Sequence, residues 1–158
     1  MKYILSILIL FFGFSAAAKE LTSRLGVGFR NAYSIDVPAI ATSYYPNPDY
    51  GVIGALGVDT QHEASKFVVT GGMRKIVFRE ENMNFFMGGT LSMLSREQTG
   101  ETNSGFELAA LVGSEFFIAG LDSLGFNVET GIGVTNISKV RFRTFGDHML
   151  RAGIFFYF

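Results

Sequence analysis

Apolar and polar or small residues alternate with a period of two along most of this chain, and the alternation recurs eight times. Leu25, Val27 and Phe29 interleave with Gly26, Gly28 and Arg30. A weaker segment over residues 39–45 puts Ile40 and Tyr44 on one face. Val52, Gly54, Leu56 and Val58 alternate with Ile53, Ala55, Gly57 and Asp59. Phe67, Val69, Gly71 and Met73 oppose Val68, Thr70, Gly72 and Arg74. The fifth segment sets Phe85, Met87, Leu91 and Met93 against Asn84, Phe86, Thr90 and Ser92. The sixth sets Phe106, Leu108, Ala110 and Val112 against Glu107, Ala109, Leu111, Gly113 and Glu115. The seventh carries Leu124, Phe126, Val128, Ile132 and Val134 opposite Gly125, Asn127, Glu129, Gly131 and Gly133. In the last, Leu150, Ala152, Ile154, Phe156 and Phe158 share a face without a polar residue, opposite Arg151 and Gly153 and then Phe155 and Tyr157. Successive side chains of a strand point to opposite faces, so each segment predicts a strand with one oily face.

The connections alternate as well. Residues 45–49, 79–82 and 119–123 read as compact turns, whereas 60–66, 95–105 and 136–147 read as longer, more polar connections. Short turns at one end and longer loops at the other characterise barrels that cross an outer membrane. Eight strands of about 10 residues, with these connections, account for the chain after its first segment. The fold expected is all-β, an eight-stranded antiparallel up-and-down transmembrane β-barrel over residues 19–158, without a domain boundary.

The first segment has a different character. Lys2, an apolar stretch over residues 3–14 and Ser15-Ala16-Ala17-Ala18 form a Sec-type signal-peptide pattern, with cleavage expected after Ala18. The apolar stretch is shorter than the roughly 20 residues a spanning helix needs. Composition adds 17 Phe and 19 Gly with three Pro and no Trp, which suits aromatics facing lipid and glycines in a crowded lumen. The chain has no cysteine, which excludes a disulfide, a lipid-anchored thiol and thiol chemistry. A formal net charge of −1 gives no reason to expect nucleic acid as a partner.

With the oily face outward, charge collects on the other. Arg24, Arg30, Arg74 and Arg151 fall inward by parity, as do Asp59, Glu107, Glu115 and Glu129. A lone charge in a dry lumen costs several kcal/mol, so these groups are expected to pair. An eight-stranded lumen is only wide enough for side chains to fill it, which favours a plug over a narrow low-conductance pore. Lys75 is outward by strict parity and lies near a turn, from which it can reach the interface. A soluble barrel with the oily face inward shares the pattern. The aromatic terminus and the near-absence of charge on the apolar face favour the membrane arrangement.

The signal peptide, the eight alternating strands and a last strand ending in Phe158 resemble the small outer-membrane barrels of the OmpA/OmpX type. The apolar positions Leu150, Ala152, Ile154, Phe156 and Phe158 are similar to the signal such proteins present to the barrel-assembly machinery, and Gly131-Ile132-Gly133-Val134 looks like a strand motif common in that group. The resemblance implies a Gram-negative cell outer membrane, with its lipid and lipopolysaccharide as partners, and no fixed activity. A monomer is expected, with a structural or surface-interaction role.

Candidate chemistry is sparse. His62-Glu63-Ala64-Ser65 holds a base, an acid and a nucleophile within four residues, as some lipid A-modifying barrels require. Neighbouring residues on a strand face opposite ways, however, so a solvated loop is the simpler expectation. His62, Glu63 and Asp59 make a poor metal set without a second nearby histidine. His148 is the other histidine. No catalytic residue, cofactor or metal is expected. Lys139, Arg141 and Arg143 alternate with Val140 and Phe142, which reads as strand. Three cations on one face at the outer rim are candidates for lipopolysaccharide phosphates.

Overall fold

The computed structural model describes residues 20–32, 34–144 and 150–158. The expected signal peptide, 1–18, lies outside them. Nine strand segments are described: β1 (Leu25–Asn31), β2 (Pro38–Tyr44), β3 (Tyr50–Asp59), β4 (Lys66–Glu80), β5 (Met83–Gln98), β6 (Glu101–Phe117), β7 (Leu124–Asn136), β8 (Val140–Thr144) and β9 (Arg151–Tyr157). Consecutive strands pair antiparallel from β1 to β7. β7 then pairs with both β8 and β9, which together make one stave. β9 returns to β1, with Gly26 opposite Tyr157 and Arg30 opposite Gly153. The ring thus closes as an all-β antiparallel up-and-down barrel of eight staves.

Closure gives wall strands a partner on each side, so the sheet has no long exposed edge. Parity then sorts the side chains. Phe29, Ile40, Leu56, Met73, Leu91, Leu108, Val112 and Ile154 are exposed on the outer wall, while Arg30, Ala41, Ile53, Thr70, Ser92, Leu111 and Glu129 are buried inside. Exposed Phe29, Phe67 and Phe106 stand toward one end, here the mouth. Phe78, Phe116, Phe156 and Phe158 stand toward the other, the base, where the C-terminus lies. Phe116 stacks on Phe126 with ring centroids 5.6 Å apart. Lys75 sits level with the start of β3, its Nζ 5.9 Å from the centre of the Tyr50 ring.

Three features depart from simple alternation. A bulge at Val77 inserts one residue between the pairs Ile76–Phe86 and Phe78–Phe85. Strict parity would turn Phe78 inward with Arg74 and Ile76; the extra residue turns it outward, where its ring lies 5.8 Å from that of Phe85. Residues 95–105 are not an extended polar loop. β5 and β6 remain paired out to Gln98 and Glu101, and the chain reverses through Thr99 (φ 54°) and Gly100 (φ 79°). Two successive positive φ values suit the twist of a two-residue hairpin turn. Finally, the link between β1 and β2 folds back over the lumen, burying Ile35 and Val37 against Val68 and Leu94.

The mouth therefore has an uneven rim. β5 and β6, of 16 and 17 residues, rise well above the seven-residue β1 and β2.

At the seam, a Cβ added to Gly28 would lie 1.8 Å from the Ile154 carbonyl oxygen of β9, whereas one added to outward Gly71 would meet nothing within 4 Å. Gly28→Ala is expected to destabilise the barrel by about 1–3 kcal/mol through forced overpacking, and Gly71→Ala by no more than about 0.5 kcal/mol. Urea unfolding of the two variants in phospholipid vesicles checks the contrast.

Candidate functional site

The lumen is layered. At the base, Leu21, Tyr45, Ile76, Phe86, Phe117, Phe155 and Tyr157 form a buried apolar cluster. Leu21 comes from the segment before β1, which is tied in place by Ser23 N–H donating to the Tyr45 carbonyl at 2.7 Å. The Tyr157 ring packs at 6.0 Å from Phe117 and 6.3 Å from Tyr45. Inward aromatics of β5, β6 and β9, with Tyr45 just after β2 and Ile76 of β4, thus fill the bottom of the barrel.

Above this layer the charges begin. The two tyrosine hydroxyls turn upward and both donate to Glu115, Tyr45 to Oε2 at 2.9 Å and Tyr157 to Oε1 at 2.5 Å. Glu129, on β7, is the hub. Arg74 Nη2 donates to its Oε2 at 3.0 Å, Arg151 Nη2 lies 2.5 Å from its Oε1, and Arg30 donates to the same Oε1. The pairing follows from register, since Glu129 sits directly opposite Arg151 across β7 and β9. The Arg74 guanidinium also lies 4.3 Å above the Phe86 ring, which joins the charged layer to the apolar one. Asn127, its amide oxygen turned toward Arg74, accepts from Nη1 at 2.8 Å.

Toward the mouth, Thr70 and Ser92 share a hydrogen bond of 2.8 Å, and Ser34, from the folded-back link, donates to Glu107. The cluster of Ile35, Val37, Val68 and Leu94 lies over this layer, with Ile137 packed against it.

Of the eight charges assigned inward by parity, six are buried in the lumen: Arg30, Arg74, Glu107, Glu115, Glu129 and Arg151. Arg24 and Asp59 stand elsewhere. Arg24 precedes β1 and is half-buried at the base, donating to the carbonyls of Asp122 (3.2 Å) and Tyr157 (3.0 Å) and to Ser123 Oγ (3.2 Å). It ties the last turn to the closing strand. Asp59 ends β3 at the mouth, half-exposed and opposite Lys66. On the final strand, Ala152, Ile154, Phe156 and Phe158 are exposed on the outer wall, in line with Leu150 just before it.

Lys139, Arg141 and Arg143 share a face, but it is the inner one. Arg141 and Arg143 lie opposite Thr135 and Gly133, both buried, whereas Val140 and Phe142 are turned out. With Arg96 they line a recess of about 280 Å³ inside the rim. Arg96 escapes the sequence reading because 95–105 is rich in Thr, Glu and Ser; continuing the alternation through Leu94 and Arg96 would have placed it. Tyr45, Tyr157 and Ser34 also go unannounced, since nothing local marks them as donors to a carboxylate.

The 60–65 turn brings no catalytic relay together. Ser65 Oγ donates to the Gln61 carbonyl at 2.9 Å, and exposed His62 has its Nδ1 3.9 Å from Glu63. His148 lies outside the described residues.

Breaking one side of a buried charge cluster typically costs about 3–5 kcal/mol, because the surviving charges keep their desolvation penalty. Glu129→Gln leaves Arg30, Arg74 and Arg151 around a neutral amide and is expected to fall in that range. Tyr157→Phe, which removes one of two donors to Glu115, is expected to cost about 1.5–3 kcal/mol. Urea midpoints of the refolded variants measure both; equal small losses would show that Glu129 is not the hub.

No protein-family model matches the chain, and no curated protein does. Among solved structures the chain is similar to the crystal structure of Ail, the attachment invasion locus protein of Yersinia pestis. The TM-score is 0.41 and the identity 18%, over 85% of this chain and 95% of that one.

Proposed function

We propose that this protein is an integral outer-membrane barrel with a filled lumen, and that it acts through its outer rim rather than by conducting solutes or by catalysis. The observation that carries this reading is the inversion of the wall. Apolar residues are exposed around the outside, and six ionisable side chains are buried within. In water that arrangement would leave a broad oily surface exposed, far beyond the patches normal for a soluble protein. In a bilayer the same surface is solvated by lipid, and a charge moved onto it near the midplane would cost about 2–4 kcal/mol. The outer-membrane location is also the one implied by the resemblance to small OmpA/OmpX-type barrels.

The filling of the lumen supports the absence of conduction. Apolar clusters lie at both ends, and between them Arg74 and Glu129 reach each other across the interior. An ion crossing this space would have to separate Glu129 from its three arginines. The tall β5–β6 hairpin and the cationic rim are then the parts offered to the outside.

Two measurements test the proposal. The protein is expected to fractionate with outer membranes and to migrate differently in detergent gels before and after heating. In planar bilayers the purified barrel is expected to show no steady conductance. Stable current that changes on Arg74→Gln would overturn the filled lumen, and a changed acyl count of lipid A on expression would overturn the non-catalytic role.

A further inference from the structure

The outer wall is not evenly filled. Across β4 to β7 it sinks into a groove of about 700 Å³. Gly88, Gly89 and Gly131 leave bare backbone at its floor, and exposed Met73, Met87, Val112 and Ile132 form its sides. A second depression of about 380 Å³ adjoins it and shares Met87, Val112 and Thr130. The groove has a direction. Its lower side follows one hydrogen-bonded row, in which Tyr50 faces Lys75, Lys75 faces Met87, Met87 faces Val112 and Val112 faces Thr130. Tyr50 is the first residue of β3, beside the base, whereas Thr130 lies midway along β7. Strands of a barrel are tilted, so such a row climbs the wall. The groove starts near the base and rises toward the middle of the apolar band.

A second, independent feature marks the lower end. Between the aromatic levels of mouth and base, Lys75 is the one charged side chain that the described strands turn outward. Its neighbours on that face of β4, Met73 and Val77, are apolar and exposed. The Lys75 ammonium lies 5.9 Å from the centre of the Tyr50 ring and is paired with no carboxylate among the described residues. The carboxylate of Asp49, next to Tyr50, is taken by Arg79 at 2.9 Å. A cation on a lipid-facing wall is costly, less so toward the interface. The long stem of Lys75 can carry its ammonium to headgroup level, where tyrosine is also at home. What the cation lacks there is an anion.

We infer that this groove holds an acyl chain of an anionic glycerophospholipid from the leaflet at the base, with the lipid phosphate at Lys75. The two ends of such a lipid meet matching parts. A methylene chain fits a narrow apolar trough, and the flexible Met73 and Met87 can mould to it. The phosphate meets a compact ammonium, whose pairing with it is charge-assisted. The order is also right, with the charge near the interface and the trough rising from it toward the midplane. A lipopolysaccharide molecule, whose phosphates lie in the leaflet at the mouth, would bring only the ends of its chains near Lys75. A zwitterionic lipid would fill the trough equally well but leave its own cation beside the ammonium. The inference rests on the proposed membrane location, with the mouth as the external end.

Native mass spectrometry of the barrel released from detergent micelles tests this. Phosphatidylglycerol and phosphatidylcholine with the same acyl chains are the probes, titrated separately. One phosphatidylglycerol is expected to stay bound, about tenfold tighter than phosphatidylcholine, the scale of one charge-assisted contact. Lys75→Gln is expected to abolish that preference, and Lys75→Arg to keep it. Ala110→Leu, which fills the groove without changing charge, is expected to weaken phosphatidylglycerol retention severalfold. Lys66→Gln, at the mouth end of β4, and Ala152→Leu, on the outer wall of β9, are expected to change neither. Heat-modifiable migration establishes that each variant is folded. Lys75→Gln and Ala110→Leu address the two ends of the lipid separately, so the test stays decisive if one of them does not fold. Equal retention of the two lipids would overturn the inference, as would a preference that survives Lys75→Gln or retention unchanged by Ala110→Leu. A doubled protein mass without lipid, lost in Ala110→Leu, would assign the groove to a second copy of the chain and overturn the lipid. A chain that does not fractionate with membranes would sink the proposed location; a membrane-embedded barrel without the phosphatidylglycerol preference would sink this inference alone.

Discussion

A backbone amide inside hydrocarbon has no water to turn to, so a sheet placed there must hydrogen-bond to itself all the way round. In this chain the requirement is met by β9 returning to β1, and much else follows from that closure. Eight staves make a narrow ring. A narrow ring has an interior that only side chains can fill, and under the proposed membrane location the outward face is given to lipid. The polar residues of each strand have nowhere else to go.

The interior then poses its own problem of charge. Three arginines and three glutamates are buried, and burial is tolerable only with close partners. The solution is concentrated rather than pairwise. Glu129 takes three guanidinium groups, while Glu115 is held by two phenol hydroxyls that belong to the aromatic layer beneath. Arg74, placed over Phe86, connects the two. The same tyrosines that close the base therefore also orient the charged layer, and the two are expected to fail together.

The wall is nearly all legible from alternation, because a period of two assigns a face to every residue of a strand. Arg30, Arg74, Glu115, Glu129 and Arg151 can be placed inside on that ground. Parity does not give height along the barrel axis, however. Nothing in the pattern says that Glu129 and Arg151 share a level while Asp59 sits at the rim. The Val77 bulge is likewise silent, since an inserted valine looks like any other wall residue. The polar composition of 95–105 conceals a hairpin that is strand to its tip. Beyond the apolar band of the wall, outward residues are no longer apolar, so the signal fades there although the hydrogen bonds continue. Arg96, and with it the fourth cation of the mouth recess, is lost to a sequence reading for that reason.

The seam between β1 and β9 has a further consequence. It joins the first and last strands of the barrel, over the short stretch from Gly26 to Arg30 on one side and Gly153 to Tyr157 on the other. Hairpins such as β5–β6 zip locally, but this junction brings together segments separated by nearly the whole fold. Forming such a contact carries the largest loop-closure entropy the topology contains, so it is the natural slow step of assembly. Until it forms, β1 and β9 each present a row of unmet amides and carbonyls. The half-made protein is thus, for a time, a ribbon with two open edges, each a template for pairing with another strand until the two meet.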